Sequence, residues 1–301
     1  MSIIEKAANK LRSKVNVNAQ QLSTEESTAK KENNTEFAYK ETAPESKNNQ
    51  ASSPITPQTK QVSINLDELN KLGIVTPDQG KTQLAEQFRI IKRPLLTKAF
   101  SKSETIKNGN LIMIASSLAG EGKSFCALNL AMSIASEMDH RVLLVDADVA
   151  RPSIPRLLGF GSQKGLLDVL LDKKLDISDV MLQTNIDKLT LVTAGEKHSH
   201  ATELLAGQNM SLLLDELAQR YNDRIVIFDS PPLLLTSEAR VLAARMGQIV
   251  LVVEAEQTTQ HAVKEALKQI ESCSSINLIY NKARAFSGKE YYGYGYGYNY
   301  S

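Results

Sequence analysis

Leu111-Ile-Met-Ile-Ala115-Ser-Ser117-Leu-Ala119-Gly120-Glu121-Gly122-Lys123-Ser124-Phe125 is the stretch that decides the fold. Residues 111–115 form an apolar run of the length of a buried strand. From 124 to 138 the apolar residues Ala127, Leu128, Leu130, Ala131 and Ile134 recur at helical spacing. Between them lies a glycine-containing turn that ends on Lys-Ser. A strand, such a turn and a helix N-terminus together make a phosphate cradle. The glycines let backbone N–H groups curl around anionic oxygens, Lys123 supplies charge toward β and γ phosphates, and the Ser124 hydroxyl can ligate Mg²⁺. The spacing is that of a Walker A loop, with Ser117 where the first glycine would stand.

Working outward, the same strand pattern recurs at 141–146, 189–193, 225–229, 249–253 and 276–280, with helical stretches near 208–221, 236–245 and 259–271. Near-continuous apolar strands alternating with helices predict an α/β fold: a mostly parallel sheet with helices on both faces. Ligands of such sheets sit at the carboxyl ends of the strands. Two acidic clusters fall there, Val145-Asp146-Ala147-Asp148 and Phe228-Asp229-Ser-Pro-Pro232. Carboxylates beside bound phosphates are suited to holding Mg²⁺ or to taking a proton from an incoming nucleophile.

Composition separates this core from its ends. Residues from about 13 to 61 are dominated by Asn, Gln, Ser, Thr, Lys and Glu, which predicts a disordered arm. Before it, Ile4, Ala7, Ala8, Leu11 and Val15 share one side of a potential amphipathic helix, compatible equally with a docking element and with an unbound end. At the other end, six of the nine tyrosines are Tyr291, Tyr292, Tyr294, Tyr296, Tyr298 and Tyr300, interleaved with glycine. Glycine spacing denies this tail a helical or strand preference, and about 15 extended residues span roughly 50 Å, enough to reach a neighbouring subunit. A formal net charge of +1 gives no basic stripe for nucleic acid. No apolar run is long enough for a membrane span and no signal peptide is evident, which places the expectation in the cytoplasm. Cys126 and Cys273 lack metal or redox spacing and are expected to be buried and reduced.

Taken together, Ser-Leu-Ala-Gly-Glu-Gly-Lys-Ser124, Leu-Leu-Val-Asp146-Ala-Asp148-Val-Ala-Arg151-Pro, Phe-Asp229-Ser-Pro-Pro and the tyrosine tail resemble the bacterial tyrosine kinases over about residues 80–301. The set is most similar to exosortase (XrtA/PEP-CTERM)-associated autokinases of exopolysaccharide gene clusters. That resemblance implies a P-loop NTPase fold of the kind shared with MinD and ParA, and ATP- and Mg²⁺-dependent phosphorylation of the tail tyrosines in trans, regulating polysaccharide export. It divides the chain into a 1–61 arm, a 62–285 kinase domain and a 286–301 acceptor tail. Lys123, Asp146, Asp148 and Asp229 become the catalytic set, with Asp146 activating the phenol. Ser124, Asp148 and Asp229 become the metal set. The nucleotide contacts become Ser117, Ala119, Gly120, Glu121, Gly122, Lys123, Ser124, Phe125, Arg151 and Asn281, the last toward adenine.

Glu86-x-x-Arg89-x-x-Lys92 resembles the family's ring-assembly element, with Lys92 in place of the final arginine; an i, i+3 pair within one helix is the alternative. Ala150 stands where many members carry arginine, which removes a positive charge near the phosphates and leaves open whether Arg151 compensates. The implied partners are other copies of the chain, a membrane polysaccharide co-polymerase of the Wzz type as activator, recruiting the protein to the inner face of the plasma membrane, and a tyrosine phosphatase. Two rival readings share the nucleotide site: a MinD/ParA-type ATPase switch, whose extra loop lysine is here Leu118, and an ATP-binding scaffold without transfer.

Overall fold

All six expected strands pair in one sheet, which two short strands extend to eight. The computed structural model describes residues 60–77, 82–100 and 106–283. The N-terminal segment, the arm up to residue 59 and the tail with its six tyrosines lie outside the described residues.

The elements in chain order are β1 (Lys60–Val62), α1 (Leu66–Lys71), α2 (Gln83–Phe100), β2 (Leu111–Ser116), α3 (Lys123–Ala135) and β3 (Arg141–Asp146). Then follow α4 (Ile154–Leu158), α5 (Leu166–Leu171), α6 (Ile177–Val180), β4 (Leu182–Thr184), β5 (Leu189–Val192), α7 (Ala201–Ala206) and α8 (Gln208–Arg220). Last come β6 (Arg224–Asp229), α9 (Glu238–Ala243), β7 (Gln248–Glu254), α10 (Gln260–Gln269) and β8 (Ile276–Asn281). The sheet order is β1-β4-β5-β3-β6-β2-β7-β8. Every neighbouring pair is parallel except β4 with β5.

The alternation of side chains along a strand explains why the central strands are apolar throughout. In β2, Leu111, Met113 and Ala115 join one core layer and Ile112 and Ile114 the other, and all are fully buried. One layer is covered by α5 to α10, the other by α1 to α4. Helix α8 shows how the sequence achieves this: Met210, Leu213, Leu214 and Leu217 recur on one face, and all four are buried. Phe228, at 0% exposure in β6, is packed on all sides; truncation to alanine would cost about 3–5 kcal/mol. Among the described residues no helix is long and apolar enough to cross a membrane.

Candidate active site

Parallel pairing brings three strand ends together. In the order β3-β6-β2, Asp146 lies in register with Asp229, and Ile114 is the Asp229 partner on the other side. The loop after β2, the acidic turn after β3 and the end of β6 therefore share one carboxyl edge.

The loop is held in shape by its own residues and by the ends of β7 and β8. Gly122 caps α3 at φ +94°, a left-handed conformation that favours glycine, and a Cβ there would overlap the Asn281 amide. Glu121 is 2% exposed; its carboxylate accepts from the Leu118 N–H at 2.7 Å and from the Thr258 hydroxyl. Its side chain is thus a brace inside the loop, and only its backbone is left to meet a ligand. The Asn281 amide donates to the Glu121 carbonyl at 2.9 Å, so this side chain supports the loop from below. Lys282 donates to the Gly120 carbonyl at 2.8 Å and pairs with Glu254 at 3.0 Å. Ala119 and Gly120 form the exposed crest, Ser117 is buried with an unpartnered hydroxyl, and Ser124 and Phe125 lie in the first turn of α3.

At the centre, Lys123 Nζ lies 2.7 Å from Asp148 Oδ2 and 3.9 Å from Asp229 Oδ1. Burial pulls the lysine toward neutrality, but Asp229, Asp148 and Asp146 outweigh it and hold the ammonium above its ordinary value. Asp146 Oδ2 accepts from the N–H groups of Ser153 and Ile154, each at 3.0 Å, and Oδ1 from that of Asp148 at 3.3 Å. Burial, and then the Asp229 charge, raise its carboxyl to about 7 despite these bonds. Asp229 is fully buried, and neither of its oxygens has a hydrogen-bond partner. Burial raises it to about 6, a rise that the charge of Lys123 limits. Both cysteines are free and buried, as expected; burial and Asp229 push the Cys126 thiol up to about 12, leaving it inert.

An orphaned buried carboxylate beside a lysine and a serine hydroxyl is an electrostatic demand that Mg²⁺ and phosphate would satisfy. The donors are all hard oxygens, suited to Mg²⁺. Among the described residues no group of three or more His, Cys, Asp or Glu forms a self-sufficient metal cage. Mg²⁺ is commonly held by one or two carboxylates, a hydroxyl and the phosphates of its nucleotide, donors that Asp148, Asp229 and Ser124 can supply. The residues present therefore fit the pair.

Not every predicted residue converges here. Arg151 is exposed, and its backbone N–H donates to the Asp148 carbonyl and carboxylate. Glu86 and Arg89 pair on the exposed side of α2, as the i, i+3 reading allows. Lys92 is turned inward, 4% exposed, donating to the Ser133 carbonyl at 2.6 Å and pairing with Glu137 at 2.7 Å. It fastens α2 to the far end of α3 and does not share their outer face. Sequence reasoning missed the parts played by Thr258 and Glu254, which lie in segments that carry no motif, and by Lys282, which follows Asn281 directly.

Comparison with known proteins agrees with this geometry. Residues 109–282 match the model of an AAA domain family. The chain is 30% identical to tyrosine-protein kinase YwqD of Bacillus subtilis over 220 residues, 72% of this chain and 89% of that protein. EpsB of Ralstonia solanacearum is 33% identical over 162 residues, 54% of this chain, and is much longer: the chain spans 21% of it. Among solved structures, the VpsO kinase domain superposes with a TM-score of 0.55 at 27% identity, covering 65% of this chain and 95% of that one.

Proposed function

The chain belongs to the bacterial tyrosine-protein kinases, built on an AAA-type domain, and from that premise we propose that it transfers the terminal phosphoryl group of ATP to tyrosines of its own C-terminal cluster. The observation that carries this reading is the convergence of Lys123, Asp146, Asp148 and Asp229 at the mouth of one glycine-bearing loop.

The backbone N–H groups of the loop and the first turn of α3 grip the phosphates, and Lys123 draws charge from the β and γ oxygens as it builds. The incoming phenol oxygen bonds to the γ phosphorus while the bond to the β–γ bridging oxygen breaks, releasing ADP. Asp146, at the end of the strand beside Asp229, receives the phenolic proton. Ser124, Asp148 and Asp229 would hold Mg²⁺, which neutralises phosphate charge when bound. To present Asp148 to the ion, Lys123 exchanges its present carboxylate partner for phosphate. In this reading Asn281, whose amide braces the Glu121 carbonyl, would also meet the adenine.

The acceptors in this reading are Tyr291, Tyr292, Tyr294, Tyr296, Tyr298 and Tyr300, met in trans within an assembly of copies to which Glu86 and Arg89 contribute. The wider role is regulation of exopolysaccharide synthesis, with recruitment to the membrane through a co-polymerase and reset by a tyrosine phosphatase. Incubation of the full chain with Mg²⁺ and ATP, followed by intact mass measurement, tests the core of it. Stepwise phosphate gains are expected that vanish in Lys123→Ala and in a chain ending at residue 285. Nucleotide binding without any gain of mass would leave a scaffold instead.

A further inference from the structure

Lys282 was singled out by no motif, yet it touches the phosphate loop. It stands just past β8 in the left-handed region, φ +57°, which brings its side chain back across the loop. Its ammonium bridges the Gly120 carbonyl at 2.8 Å and the Glu254 carboxylate at 3.0 Å, while Asn281 donates to the next carbonyl, Glu121, at 2.9 Å. Two consecutive loop carbonyls are thus pulled toward the β7 and β8 ends.

A trans peptide is planar, so its C=O and N–H point in opposite directions. Tying the Gly120 carbonyl to Lys282 turns the Glu121 N–H away from the brace, and tying the Glu121 carbonyl to Asn281 does the same for the Gly122 N–H. Among the described residues neither N–H has a hydrogen-bond partner. Backbone donors are rarely left unpaired unless a ligand or water completes them. The Glu121 carboxylate, buried and bonded to Leu118 and Thr258, keeps the segment from rolling back.

We infer that Lys282 is a positioning residue of the phosphate site: held by Glu254, it aims the Glu121 N–H at the nucleotide phosphates without touching them. This rests on the nucleotide-binding reading above and deepens it. Lysine at this place acts through the loop carbonyl, so its contribution appears only with ligands that carry phosphate.

The test is a binding titration of the full chain with ADP and, separately, adenosine, in the wild type and in Lys282→Met, Lys282→Arg and Glu254→Gln, with thermal melts as the folding control. A charge-assisted hydrogen bond of this kind predicts about five- to tenfold weaker ADP binding in Lys282→Met. Adenosine affinity should stay within about twofold. Lys282→Arg should recover most of the loss, and Glu254→Gln should show a smaller loss in the same direction. In the phosphorylation reaction the KM for ATP should rise in proportion while kcat changes little. Unchanged ADP affinity in Lys282→Met, or an equal loss for adenosine, would overturn the assignment. A wild-type chain that does not bind ADP at all would instead overturn the nucleotide reading on which it rests.

Discussion

Replacing Asp146 with asparagine separates what this carboxyl does for chemistry from what it does to the fold. It is buried, in register with Asp229, and raised from 3.8 to about 7. For an acid whose native value lies above its unfolded one, the native state binds the extra proton, so stability is highest below about pH 4 and falls as pH rises to about 7. At about 1.4 kcal/mol per decade, that interval corresponds to roughly 4 kcal/mol of stability absent above pH 7. Asparagine removes the charge but retains only one acceptor oxygen. Ser153 and Ile154 can both donate to it, while the Asp148 N–H loses its partner. An unsatisfied N–H returns about 1–3 kcal/mol of the gain. The net expectation is a ligand-free chain stabilised by about 1–3 kcal/mol at pH 8, a rise in Tm of roughly 2–12 °C for a domain of this size. Calorimetry from pH 4 to 9 should show a flatter dependence than in the wild type, while phosphorylation by the variant falls to background. A lower Tm at pH 8, or an unchanged pH profile, would refute the electrostatic argument even if activity were lost.

Three further outcomes follow from the geometry. Lys123→Met removes the charge nearest the unpartnered Asp229 oxygens and should lower the stability of the ligand-free chain by about 3–5 kcal/mol in urea titrations, as well as abolishing transfer. Gly122→Ala places a Cβ on the Asn281 amide in a left-handed conformation, so ADP titrations should show binding largely lost. Lys92→Met leaves the Ser133 carbonyl without its buried donor and should cost about 1–3 kcal/mol by denaturant titration, with intrinsic nucleotide affinity little changed.

What was legible in the sequence was what repeats or clusters. The apolar runs at 141–146 and 276–280 and the loop with its lysine carry local signals strong enough to survive folding unchanged, and the buried strand ends put Asp146 and Asp229 where the pattern implied. Strands β1 and β4 escaped notice because three residues are too few to display a period, and β4 buries only Leu182 along its length. Helices α4 to α7 span at most six residues and are fixed by packing and by caps such as Asp176, more than by an extended apolar stripe. The helix expected at 236–245 shrinks to Glu238–Ala243. Lys92 misled for a different reason: spacing places it one turn beyond Arg89, but a long aliphatic stem lets a lysine turn inward wherever a helix end offers a carbonyl and a carboxylate together. Glu121 and Lys282 are contacts across more than 130 residues of chain, with Thr258 and Gly120 respectively, and no local pattern encodes them.

The inward lysine has a mechanical meaning. Helix α3 is a rod of 13 residues, about 20 Å long, whose near end is the floor of the phosphate cradle and whose far end is bolted by Lys92 to the helix bearing Glu86 and Arg89. A tilt of only about 5° at the cradle would swing the bolted end by about 2 Å, comparable to the helix shifts that distinguish states in switching proteins. Any such tilt at the cradle would be delivered, through Lys92, to an outer surface far from the chemistry.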